Sequence, residues 1–107
     1  MDMFTVVADA NRRVLLDLLA DGDRTAGELV DALPRLTQPA VSRHLRILRE
    51  AGLVVVRPDG QRRVYALHAG GLVEIDAWIG RYRRYWSRHL DALESHLARR
   101  SEKEDPA

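Results

Sequence analysis

The chain has 107 residues, 46% apolar and 31% charged, which suits one globular domain. It has no cysteine, which excludes disulfides, thiolate metal sites, thiol redox sensing and a cysteine nucleophile, and its longest aliphatic run, Leu53-Val54-Val55-Val56, is far short of the ~20 residues that span a bilayer. The formal net charge of +1 is unevenly spread: residues 1–34 hold three Arg and seven acids, residues 35–68 seven Arg and two acids, and residues 69–107 six Arg, one Lys and seven acids. A basic middle third between acidic and neutral flanks points to a local polyanion-binding surface.

Residues 3–8 read as a short helix. Asp9 is placed to cap the next helix, Ala10 to Ala20, in which Val14, Leu15, Leu18 and Leu19 form a helical stripe. Asp21-Gly22-Asp23 ends it. Thr25-Ala26-Gly27-Glu28 is a capping box: the Thr25 hydroxyl accepts the N3 amide and Glu28 reaches back to the Thr25 amide. That helix continues through Leu29, Val30 and Leu33, and Pro34-Arg35-Leu36 is a tight turn. Thr37-Gln38-Pro39 opens another helix, with proline tolerated in the first turn, and Gly52 stops it after Ala51. Leu53–Arg57 and Arg62–Leu67 are β-branched runs flanking an Asp-Gly turn, a hairpin signal. From about residue 72 to 97, Leu72, Ile75, Ile79, Tyr82, Trp86, Leu90, Leu93 and Leu97 recur in steps of three and four. One helix of that span is about 39 Å long, more apolar stripe than a small domain covers by itself. Residues 101–107 read as a disordered tail.

The predicted fold is therefore mainly α with a small β-hairpin, a winged helix-turn-helix in the order α-α-α-α-β-β-α. One domain over residues 1–100 includes a C-terminal helix, and its stripe predicts self-association. On the helix from residue 38 to 51, Val41, Leu45, Leu48, His44, Ala40 and Ile47 form one apolar arc at about 100° per residue, with His44 at its margin. The opposite side carries Gln38, Ser42, Arg43, Arg46 and Arg49. Such a side is often only the solvated half of an amphipathic helix, but the preceding turn and following hairpin favour insertion into a major groove. Gln38, Ser42 and Arg43 are the candidates for base-edge contacts because N-terminal turns penetrate deepest. Thr37 and Arg46 are candidates for phosphate contacts. Arg57, Arg62 and Arg63 flank the hairpin tip, where they can follow phosphates or simply keep a sheet edge soluble. His44 reads as packed or phosphate-bonding. Within the second strand, Val64 and Ala66 share one face and Arg63, Tyr65 and Leu67 the other, with neither singled out as the docking face.

Three stretches resemble the ArsR/SmtB-type winged-helix repressors. They are Asp9 to Leu19, Gln38 to Val54 (QPAVSRHLRILREAGLV) and Arg57 to Leu67 (RPDGQRRVYAL), and the resemblance spans about residues 3–97. It implies a homodimeric repressor of double-stranded DNA with roughly palindromic operators. It also implies a dimer interface of the first and last helices, here Phe4 and Val7 with Leu72, Ile75, Ile79, Tyr82, Trp86, Leu90 and Leu93. The family's cysteine metal pair is absent from Glu28–Leu33. Its carboxylate-histidine zinc pattern on the last helix meets Arg83, Tyr85 and Arg99, leaving His89 and His96 as weak metal candidates. No metal site or cofactor is expected.

Arg81, Arg83, Arg84 and Arg88 interleave with Trp78, Tyr82, Tyr85 and Trp86. An interface or an aromatic-lined ligand pocket explains this better than base stacking. The leading function is a sequence-specific DNA-binding regulator, with its own promoter among the expected targets. The alternatives are a derepressor answering an organic effector or zinc, and a non-specific nucleoid or protein-binding winged helix. An enzyme is not expected: there is no Gly-rich phosphate loop and no nucleophile motif. Met1-Asp2-Met3 lacks a secretory leader's pattern, so the expected location is cytoplasmic and no membrane partner is expected.

Overall fold

Four helices start where the sequence supplies a cap. Helix α1 (Met3–Ala8) follows Asp2, whose Oδ1 accepts the Thr5 amide at 2.9 Å. Helix α2 (Ala10–Ala20) follows Asp9, whose Oδ1 accepts the amides of Asn11 and Arg12 at 2.8 and 3.1 Å. At α3 (Ala26–Ala32) both halves of the capping box are made: Glu28 N donates to Thr25 Oγ1 and Thr25 N to Glu28 Oε1, at 3.2 and 3.1 Å. At α4 (Gln38–Glu50) Thr37 Oγ1 accepts the Ala40 amide at 3.2 Å, with Pro39 in the first turn. Each such cap contributes about 1 kcal/mol. The computed structural model describes residues 1–104, with side chains described to residue 101.

The sheet has one strand more than predicted. Strand β1 (Arg24–Thr25) pairs antiparallel with β3 (Arg62–Leu67), which pairs antiparallel with β2 (Val54–Asp59), giving the order β1-β3-β2. Two residues cannot display alternation, and Thr25 also serves as the cap of α3, so only the cap was legible. The hairpin closes through Gly60-Gln61, with Asp59 paired to Arg62. Gly60 has φ +63° and no non-glycine residue among the described residues has positive φ, so only the first turn residue is left-handed. That is the type II′ pattern, which requires glycine there and matches the strand twist.

The core collects Val6 from α1, Leu15 and Leu19 from α2, Leu29 from α3, Val41 and Leu48 from α4, and Leu53 and Val54 at the start of the wing. The buried stripe of α2 differs from the predicted one. Arg12, Leu15, Leu16 and Leu19 face inward, while Val14 is 40% exposed. A count of apolar residues alone omits Arg12 and so misplaces the stripe. On β3, Val64 is buried, and Tyr65 and Leu67 pack against the core, so both faces of the strand are used.

The single helix expected from about residue 72 to 97 is not formed. A 3-10 turn (Ala69–Leu72) leads into α5 (Val73–Gly80), and α6 (Arg83–Glu104) begins after a break. At the break Arg81 N bonds Trp78 O and Tyr82 N bonds Ile79 O, both three residues back. Gly80 costs about 1 kcal/mol inside a helix, and the three-four spacing of apolar residues does not register it. Helix α6 continues through Glu104, past the Ser101 at which a tail was expected, and the rest of that tail (105–107) lies outside the described residues.

Two compact units are distinguished, Met1–Ile75 and a second from Asp76 onward. In the first, a Cβ on Gly71 would lie 2.8 Å from both the Gly52 carbonyl oxygen and Leu53 Cδ2, so the 3-10 turn packs tightly on the end of α4. In the second, Arg83 pairs with Asp76, and the rings of Trp78 and Tyr82 meet edge to face at 5.3 Å.

Candidate nucleic-acid interface

Helix α4 is amphipathic because its inward positions are Val41, His44, Leu45 and Leu48, all buried. Burying Val41, Leu45 and Leu48 stabilises this seat by about 1.5–3 kcal/mol each. The same rotation leaves Gln38, Ser42, Arg43, Arg46 and Arg49 exposed. Thr37 is exposed as well, and its hydroxyl keeps an O–H donor after accepting the Ala40 amide.

The wing lies beside this helix. Ser42, Leu45, Arg46 and Arg49 of α4 and Arg63 and Tyr65 of β3 line one open groove of about 330 Å³. A second groove of about 230 Å³ runs between α3 and α4, where Gln38 and Ser42 meet Gly27 and Asp31. Ser42 borders both. Arg49 joins the groove from the polar side of the helix, beyond the N-terminal turns that the sequence reading favours. Its place one turn after Arg46 was the available signal.

The arginines differ in surroundings. Arg57 Nη2 lies 3.4 Å from Asp23 Oδ2, with both side chains about half exposed. Arg62 acts on Glu28, whose carboxyl is held below its usual range by the Thr25 amide first, then by the Thr25 hydroxyl and the charges of Arg24 and Arg62. The guanidinium groups of Arg43, Arg46, Arg49 and Arg63 make no ion pair or hydrogen bond among the described residues. Four exposed guanidinium groups without carboxylate partners offer planar, bidentate donors to phosphate or guanine.

His44 does not belong to this surface. It is 6% exposed, and its Nδ1 lies 3.3 Å from Arg12 Nη1. Of the residues expected at a dimer interface, Val7 and Leu72 pack against the core of their own unit, and Ile75 and Ile79 are half-buried. Phe4, Tyr82, Trp86, Leu90 and Leu93 are 38–49% exposed. His89 and His96 are exposed on α6, and no cluster of three or more His, Asp or Glu suited to a metal is found among the described residues. Among the described residues, no helix is long and apolar enough to cross a membrane.

Residues 9–56, from the cap of α2 into the wing, match the family model for the bacterial regulatory proteins of the arsR family. The HTH-type transcriptional regulator Rv2034 of Mycobacterium tuberculosis is 43% identical over 84 residues, covering 78% of this chain and 75% of that protein. The transcriptional repressor SdpR of Bacillus subtilis is 33% identical over 78 residues, covering 73% of this chain and 86% of the repressor. A crystal structure described as a possible transcriptional regulator for arsenical resistance superposes with a TM-score of 0.68 at 38% identity, covering 90% of this chain and 96% of the other. The chain belongs to the ArsR family of bacterial regulatory proteins, and it is a DNA-binding regulator of transcription with a winged helix-turn-helix, not an enzyme.

Proposed function

We propose that the protein is a homodimeric repressor that binds a roughly palindromic operator and blocks a promoter, its own among the targets. The observation that carries this reading is the exposed polar side of α4 meeting Arg63 of the wing in one groove free of carboxylates. Gln38, Ser42 and Arg43, on the first turns of α4, are assigned to base edges, where Gln suits adenine and Arg suits guanine. Thr37, Arg46, Arg57, Arg62 and Arg63 are assigned to phosphates, and Arg49 joins them. The name of the SdpR relative supports repression as the outcome.

Self-association is assigned to α6. Its Trp86, Leu90, Leu93 and Leu97 fall on one stripe and are 40–53% exposed. A stable pair buries at least about 1,200 Å² in total, and such a stripe supplies apolar area for it. Two recognition helices about 34 Å apart would then read successive major grooves.

Selection of bound duplexes from a random library tests the whole reading. An inverted repeat with half-sites about one helical turn apart is the expected product. Recovery of no common sequence would overturn it in favour of non-specific binding. Repeating the selection with zinc present tests whether His89 and His96 make binding metal-dependent.

A further inference from the structure

Arg12 is the charged residue that the apolar stripe of α2 does not account for. It is 7% exposed, and its Nε, Nη1 and Nη2 each have a hydrogen-bond partner. Nε donates to the Val6 carbonyl at 2.6 Å and Nη2 to the Thr5 carbonyl at 3.1 Å. Both carbonyls belong to the last turn of α1, where no further helical amide exists to take them. Arg13 takes the other two, with Nη1 2.8 Å from the Val7 and Ala8 oxygens. Two consecutive arginines of α2 thus serve all four orphan carbonyls of α1, with cations at the negative end of the helix.

The remaining direction of Arg12 leads to α4. Its Nη1 lies 3.3 Å from His44 Nδ1. Arginine has no acceptor, so Nδ1 accepts and the ring carries its proton on Nε2. Asp9, the cap of α2, adds a compensating charge. Burial raises its carboxyl pKa, but the Arg12 amide, the Arg12 charge and the Asn11 amide are among the interactions that hold it low. His44 directly follows Arg43 and lies two residues before Arg46, on the opposite side of the same turns. A peg at His44 therefore fixes the rotation of α4 at the turns that face outward.

We propose that Arg12 and His44 form a positioning contact for DNA reading, through which α1 and α2 set the rotation of the recognition helix. The proposal rests on α4 being the DNA-reading element. Neither residue touches DNA. Their effect is to hold Ser42, Arg43 and Arg46 within the narrow angular tolerance that a binding constellation needs, about 10–20°.

The test compares His44→Leu, His44→Asn and Arg12→Lys with wild type. Asparagine presents an oxygen where Nδ1 stands and keeps the acceptor, whereas leucine fills the space and leaves Arg12 short of a partner. Lysine keeps the charge and has three donors, but it lacks the planar fork that reaches these separate acceptors at once. Thermal unfolding first confirms that each variant is folded at the assay temperature. Anisotropy on the selected duplex then gives affinity and its salt dependence. Loss of one hydrogen bond to a charged group predicts about a tenfold weaker operator complex for His44→Leu and Arg12→Lys. The salt slope stays unchanged, because no phosphate contact is removed. His44→Asn is expected within about threefold of wild type, and the double variant Arg12→Lys/His44→Leu loses little more than the worse single one.

Wild-type affinity for folded His44→Leu, or failure of His44→Asn to restore binding, overturns the proposal. A second readout needs no DNA: nitrogen-15 spectra of the free protein should show His44 protonated on Nε2 alone at neutral pH. A proton on Nδ1 overturns the contact itself. Absence of DNA binding by wild type with the expected tautomer present would instead overturn the DNA-reading assignment of α4, and the positioning role with it.

Discussion

Replacing Arg46, Arg49 and Arg63 by alanine removes three guanidinium groups from one groove between α4 and β3. None of them has an ionic partner among the described residues, so each is available to a phosphate. One neutralised phosphate contributes about 0.9 to the slope of log affinity against log salt. The triple variant should therefore have a slope shallower by about 2.7 per subunit. Between 50 and 200 mM salt, wild type then loses about 40-fold more affinity per subunit than the variant. A dimer on two half-sites doubles the change in slope. All three side chains are exposed, so unfolding free energy should move by no more than about 0.5 kcal/mol each. Fluorescence anisotropy across four salt concentrations, with a urea titration of the same preparations, reads both quantities. An unchanged slope in a folded triple variant would refute the placement of phosphates in this groove.

Other perturbations test the frame beneath the surface. Leu48→Ala empties a fully buried position of α4 and should cost about 2–5 kcal/mol by urea unfolding. Gly71→Ala puts a methyl group 2.8 Å from a backbone carbonyl and Leu53, and should cost about 1–3 kcal/mol in the same assay. Glu28 titrates below its ordinary 4.5 when folded, so its contribution is complete above that value and is lost as pH falls through the folded value. Glu28→Gln should flatten that part of the acid limb in unfolding measured from pH 3 to 6, and an unaltered limb would show that the capping carboxylate does not act there. Leu90→Glu with Leu93→Glu should leave the first unit folded by circular dichroism and shift sedimentation to the monomer.

Much of this fold is legible in the sequence because local chemistry and burial agree. Asp9 and the Thr25–Glu28 box announce two helix starts and make their capping bonds, and Asp2 and Thr37 cap two more. The buried face of α4 follows from period, which sets Val41, Leu45 and Leu48 inside and His44 at the margin, where it is in fact buried. Three features were not legible, for separate physical reasons. Strand β1 is held by pairing with Tyr65 and Val64, residues 41 and 39 positions away from their partners, so no local pattern marks it. The break after Gly80 is hidden because the apolar spacing on either side stays in phase. Arg12 was assigned no role because charge normally argues for exposure. Its burial depends on two carbonyls of α1 and one imidazole of α4 that only the folded chain assembles. Among the exposed residues, the α4 side was visible from sequence, while the inclusion of Arg49 and Tyr65 depends on how the wing lies against the helix.

The most direct measurement of the central claim is the ratio of affinities for the selected duplex and a scrambled duplex of equal length at 150 mM salt. Wild type and Arg43→Ala/Arg46→Ala would be measured side by side. The account predicts a ratio of about 10³ or more for wild type, and a folded double variant in which that ratio collapses. Equal affinity of wild type for both duplexes, or a double variant that keeps the wild-type ratio, would contradict it.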